Sequence, residues 1–161
     1  MITQNEGFVP LFKRVPLICC SLILTPAFAS ASDGDVVKQF GMVGEWAYDC
    51  SKPPSPDNQH GIYSIAPDGT VTVINKIGPN VPDEHLTATD FAVVSPNSFA
   101  VTLTNQTNSF VGRFVIARKD RWMLDVEAVN LATGETFVRN GVILRAGTPL
   151  NWIEKCSDAI S

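Results

Sequence analysis

Ser98-Phe99-Ala100-Val101-Thr102-Leu103-Thr104-Asn105 and Ser109-Phe110-Val111-Gly112-Arg113-Phe114-Val115-Ile116-Ala117-Arg118 flank a Thr107-Asn108 turn, and this pair decides the fold class. Both runs are rich in β-branched and aromatic residues and alternate with the period of half-buried strands. Directly opposed residues of an antiparallel pair share a face. Folding the runs at the turn sets Asn105 against Phe110, Leu103 against Gly112, Val101 against Phe114 and Phe99 against Ile116, all on one face.

Working outward, strands are expected at 43–50, 61–66, 70–77, 86–94, 98–105, 109–118, 122–130 and 135–145, after a short helix at 35–40. Turn chemistry separates them, at Asp68-Gly69, Ser95-Pro96-Asn97, Lys119-Asp120 and 131–134. The turn at 131–134 sets Ala128 against Phe137, Val126 against Arg139, Leu124 against Gly141 and Trp122 against Ile143. A three-residue loop or a bulge is expected near Lys119 to bring Phe114 opposite Val126. That register sets Arg113 opposite Glu127 and turns Asp125 and Glu127 outward. A final short helix over 149–155 returns Cys156 to the body. Consecutive hairpins with short turns predict an all-β fold, an eight-stranded antiparallel up-and-down barrel with short N- and C-terminal helices. A β-sandwich is the alternative, with the Pro-rich connections 51–60 and 78–85 as crossovers. A barrel of this size is either filled by side chains or holds one small ligand.

The 161 residues carry a net charge of −4. Lys13-Arg14, an apolar run over 15–24 and then Ala27-Phe28-Ala29 have the order of a secretory signal, with cleavage expected after Ala29. The domain division is therefore 1–29 as signal peptide and 30–161 as one folded domain, which is periplasmic or extracellular. The apolar run is shorter than the roughly 20 residues a bilayer crossing needs, so no membrane span is expected in the mature chain. Without the signal, 10 basic residues face 15 acidic ones, which argues against nucleic acid as a partner. Two cysteines then remain, Cys50 and Cys156, and in an oxidising compartment they are expected to form a disulfide. The two histidines, His60 and His85, fall in expected loops without partners at metal-ligand spacing. No metal site or cofactor is expected.

Gly44-Glu45-Trp46, preceded by a short helix, opens the first strand, and the last expected strand ends at Arg145. This resembles the Gly-x-Trp start and late basic residue of the lipocalin and avidin-like (calycin-type) barrels. The resemblance implies that Arg145 packs across Trp46 and closes the narrow end, both residues being structural. In size the chain looks closer to avidin-like or small bacterial protease-inhibitor barrels. It also looks like small secreted bacterial domains that pair a Gly-x-Trp start with a Cys-terminated tail, here Trp152 to Cys156.

Arg139 is the sharpest candidate site, because the register sets it on the inner face, where an unpaired guanidinium is costly. It reads as the anchor of an anionic group, with Asn105 on the same face and Trp122, Phe114 and Phe110 lining the interior. The alternatives for Arg139 are an internal ion pair, with Asp49 as the candidate partner, or a bulge that turns it outward; for the aromatics the alternative is a plain apolar core. No nucleophile elbow, P-loop or zinc-protease helix motif is present, so the expectation is not an enzyme. The chain reads as a binding protein for a small apolar or anionic ligand; the alternative is a protein-interaction module acting through rim loops such as 51–60 on a protein partner.

Overall fold

In a computed structural model, residues 32–158 are described. The chain runs through α1 (Asp33–Gln39), β1 (Gly44–Ala47), β2 (His60–Ile65), β3 (Val71–Lys76), β4 (Glu84–Ser95), β5 (Ser98–Asn105) and β6 (Val111–Lys119). It continues through β7 (Trp122–Asn130), β8 (Thr136–Arg139), β9 (Val142–Ile143), β10 (Thr148–Pro149) and β11 (Ile153–Ser157). The expected hairpin forms in the expected register: in β5 and β6, Phe99 faces Ile116, Val101 faces Phe114 and Leu103 faces Gly112. The expected export signal lies outside the described residues. Among the described residues no helix is long and apolar enough to cross a membrane.

A closed, eight-stranded antiparallel barrel results, as the strand pattern predicts. Its closing strand is not the one expected. The ring runs β1 to β7 and is completed by β11, which pairs with β1 on one side and β7 on the other. The segment expected as the eighth strand instead breaks into β8 and β9, a hairpin outside the ring that continues into β10. The expected C-terminal helix is absent, and β11 takes its place. Ile153 lines the barrel interior and Lys155 lies across the inward-facing Trp46 ring, so the segment alternates as a strand does. The inward lysine disguises that alternation in the sequence.

Because β11 is short, it meets β7 only at Trp122 and Met123. Further along the same edge, β7 pairs with β8 at Glu127, Ala128 and Val129. The wall between β7 and β11 is therefore split at Leu124 and Asp125, beyond which the Val126 carbonyl accepts from the Gly141 amide at 3.1 Å. The disulfide between Cys50 and Cys156 joins the chain just beyond β1 to the closing strand across 106 residues. On the chain-entropy account a loop of that length is worth about 4–5 kcal/mol.

One end of the barrel is plugged by α1. Ser32 caps it, accepting from the Asp35 amide while Asp35 bonds back to Ser32, and Asp33 accepts from the Phe91 amide of β4 at 3.0 Å. Val36, Val37, Phe40 and Met42 then pack on Phe99, Val101 and Val71, with the Phe40 and Phe99 rings 4.9 Å apart. Gly44 is required where the chain enters β1: it sits at φ +120°, and an added Cβ would overlap the Ser157 carbonyl of β11. The glycine of Gly-x-Trp thus lets the first and last strands of the ring meet.

Candidate functional site

The closed end is packed with protein contacts, although the Arg118 Nε there is buried without a hydrogen-bond partner among the described residues. Trp46 is fully buried and its Nε1 donates to the Met42 carbonyl at 2.8 Å. The Arg118 guanidinium lies 5.0 Å from the ring centroid and the Lys155 ammonium 5.7 Å away. Arg118 donates to the carbonyls of Phe40, Gly41 and Asp120. Lys155 donates to the Gly41 carbonyl at 2.9 Å and pairs with Asp158. The Phe40 and Gly41 carbonyls lie at and just beyond the C-terminus of α1, where helix carbonyls lack intrahelical partners. Burial lowers the Arg118 pKa from its ordinary value. Arg145, expected across Trp46, is instead exposed on the turn after β9. The basic residues that do cross the ring come from β6 and from β11, the strand misread as a helix.

The other end is open. Above Trp46 the barrel is hollow, with a cavity of about 410 Å³, inside the range of about 300–1,000 Å³ usual for small-ligand sites. Its lower walls are Trp46, Tyr63, Val73, Leu103, Ile116 and Met123; its mouth carries Gln59, Asn75, Glu84, Asn105, Asn108 and Phe110. The order follows from register, since β3 and β5 each lead from apolar to amide side chains on the same face. At the mouth, Asn75 of β3 donates to its cross-strand neighbour Glu84 of β4 at 3.5 Å. Asn105, a predicted site residue, does line the cavity, but its side-chain oxygen accepts from the Thr107 and Asn108 amides at 2.8 and 3.3 Å. Its NH₂ group is what remains for a ligand.

Asp125 is the group that sequence reasoning turned the wrong way. The turn after β6 sets Lys119 opposite Trp122 and Ile116 opposite Asp125. A bulge then absorbs Val126, so that Phe114 faces Ala128 and Val115 faces Glu127. A bulge had been expected, but with Phe114 opposite Val126. Because strand parity is two, its position decides which side chains face in. Met123 and Asp125 line the cavity; Trp122, expected inside, is 37% exposed. The bulge also displaces the Arg113 pairing: Arg113 faces Val129 and Glu127 faces Val115, while on the other edge of β7 Glu127 lies opposite Arg139.

The Asp125 carboxylate has no hydrogen bond or ion pair among the described residues. Burial raises its pKa from 3.8 to about 6. By accessible surface the residue is only half-buried, because its side chain borders the cavity. Both facts fit a carboxylate surrounded by protein but facing empty space. Tyr48 and Tyr63 also line the cavity, and burial raises both phenols, with the Asp125 charge raising them further. Neither phenol has a hydrogen-bond partner among the described residues. A smaller cavity of about 60 Å³, lined by Leu124, Leu150 and Asn151, shares Tyr48, Asp125, Met123 and Ile153 with the large one. Asp125 therefore sits at the split in the wall.

Of the remaining predicted residues, Phe114 and Phe110 line the cavity. Their rings are held edge-on by Phe137 of β8, at 5.8 and 6.1 Å. Arg139 does not face in. It is exposed on β8, opposite Glu127 rather than Val126, because β8 lies outside the ring. Neither histidine lies in a loop: His85 is exposed on β4, and His60 opens β2. His60 is buried beneath the 51–59 loop, its Nδ1 at 2.7 Å from a Glu45 oxygen and its Nε2 at 3.1 Å from the Lys52 carbonyl. Asn58 fastens that loop by donating to the carbonyls of Asp49, Lys52 and Pro53. Between this loop and the next, Pro53, Pro54, Lys76, Gly78, Pro79 and Asp83 line a shallow groove of about 350 Å³. No family model, no curated protein and no solved structure matches the chain.

Proposed function

We propose that this protein is a non-enzymatic, exported binding protein that holds one small, largely apolar molecule inside its barrel. The observation that carries the proposal is the cavity of about 410 Å³, which is floored by Trp46 and lined by three polar side chains, Asp125, Tyr48 and Tyr63, without hydrogen-bond partners among the described residues. Their oxygens are open to the cavity rather than sealed in protein, with Tyr48 40% exposed at its edge, so the polar group of a bound molecule can supply the hydrogen bonds that the protein does not. The disulfide fits an oxidising compartment. Kinship with the lipocalin and avidin-like barrels belongs to the same reading: Gly44-Glu45-Trp46 begins the ring and two cations cross the Trp ring.

Native mass spectrometry of the protein purified from its exported fraction tests the proposal, followed by ligand titration of a Trp122→Phe/Trp152→Phe variant. That variant leaves Trp46, at the cavity floor, as the sole indole reporter. A bound mass, or saturable quenching of Trp46, is expected. A bare protein whose Trp46 emission responds to no small aromatic or aliphatic ligand would overturn it.

The Pro-lined groove between the rim loops favours a second reading, a docking surface for a protein partner. Capture of such a partner would be lost in a Lys76→Glu/Pro79→Ser variant with the Trp46 titration unchanged.

A further inference from the structure

We infer that the ligand's polar group is a cation, a protonated amine, held by Asp125 with Tyr48 and Tyr63 beside it. This rests on the cavity being the binding site and names the chemistry it selects. The charged side chains bordering the cavity are both acidic, Asp125 on β7 and Glu84 on β4; no Lys, Arg or His is among its lining residues. The two cations on the barrel's inner side, Arg118 and Lys155, lie across the Trp46 ring and are bonded to the carbonyls of Phe40 and Gly41. An anionic ligand would thus meet a carboxylate and no counter-charge, in a setting where like charges repel strongly. A neutral ligand could be bonded by the phenols and amides but would leave the Asp125 charge uncompensated. An ammonium group satisfies the carboxylate, gives the phenol oxygens donors to accept from, and has the aromatic faces of Trp46, Tyr63 and Phe114 nearby.

The same placement makes capture depend on pH. The titratable groups around Asp125 are the phenols of Tyr48 and Tyr63 and, at the mouth, Glu84; β3, β5, β6 and β11 present only amide or apolar side chains to the cavity. Burial holds the Asp125 carboxyl at about 6, so acidification through that value removes the counter-charge first where it matters, beside the ligand's ammonium.

Three probes with one apolar body separate the possibilities: 2-phenylethylamine, 2-phenylethanol and 3-phenylpropionate. They are titrated into the full chain by calorimetry at pH 7.5 and pH 5, with wild type compared with Asp125→Asn and with Glu84→Gln. The amine should bind at pH 7.5 roughly ten- to a hundred-fold tighter than the alcohol, the difference a charge-assisted hydrogen bond makes. That preference should vanish in Asp125→Asn and in wild type at pH 5, while alcohol binding persists; Glu84→Gln should lower it by only a few-fold. Equal binding of amine and alcohol, tighter binding of the acid, or an amine preference that survives in Asp125→Asn would overturn the inference while leaving the cavity as the binding site. Failure of all three probes would overturn both.

Discussion

At the closed end of the barrel, Arg118 and Lys155 flank Trp46 and donate to the carbonyls around the end of α1. At the open end, Asp125 borders a cavity beside two phenols with no hydrogen-bond or ion-pair partner among the described residues. Both ends therefore bring charge inside a small barrel. One end pairs it with backbone acceptors and an aromatic face, leaving only the Arg118 Nε buried without a hydrogen-bond partner among the described residues, and the charges join helix, first strand and last strand into one unit. The other end leaves it unsatisfied, which costs stability. Groups kept at such a cost cluster where a molecule is to be bound or transformed.

The comparison can be broken most forcefully at the closing strand. A Cys50→Ser/Cys156→Ser variant removes the link across 106 residues and should lose about 4–5 kcal/mol, read as the shift in urea unfolding midpoint. If the loss falls below about 1 kcal/mol, then β11 is held by packing alone and the staple is incidental. Next in size is Arg118→Met, which keeps an apolar stem over Trp46 but leaves the Phe40 and Gly41 carbonyls without their guanidinium donor. It should cost about 2–3 kcal/mol, and by equilibrium unfolding this loss should exceed that of any single surface substitution. Smallest is Arg139→Ala. The exposed position on β8 predicts a change within about 0.5 kcal/mol and no effect on probe binding, checked by the same unfolding and calorimetric measurements. A clear loss of binding there would restore Arg139 as an anchor and return the ligand to the anionic class.

Much of the fold was legible because local chemistry and face agreed. The β5–β6 hairpin could be read to the residue, since Phe99, Val101 and Leu103 find Ile116, Phe114 and Gly112 opposite. The Cys50–Cys156 pairing followed from counting once a signal was assigned. Two features of barrel closure were not legible. Val126 is an ordinary strand residue, and nothing in its type marks it as the one a bulge absorbs; yet that single displacement turns Asp125 in and Trp122 out. The closing strand was hidden because Lys155 occupies an inward position, tolerated only because its ammonium reaches the Gly41 carbonyl and its stem lies along Trp46. Once 149–155 is taken as helix, 135–145 is forced into the ring, and Arg139 with it. The candidate site was thus half legible: Phe110, Phe114 and Asn105 were found, whereas Asp125, Tyr48 and Tyr63 depended on a bulge and a seam.

The unpaired carboxylate has a thermodynamic signature of its own. With a native pKa of about 6 against about 3.9 in the unfolded chain, the folded state holds the Asp125 proton more tightly. Stability from this group is fully present below about pH 4 and is lost as pH rises through about 6. At pH 7.5 the cost is at most about 3 kcal/mol, partly relieved by water in the cavity. Urea unfolding of wild type and Asp125→Asn at pH 7.5 and pH 4 therefore tests the central claim most directly. The account predicts that the variant is more stable than wild type by about 1–3 kcal/mol at pH 7.5 and equal to it at pH 4. A variant less stable than wild type at pH 7.5 would mean that the carboxylate is satisfied within the protein, contradicting its assignment to a ligand.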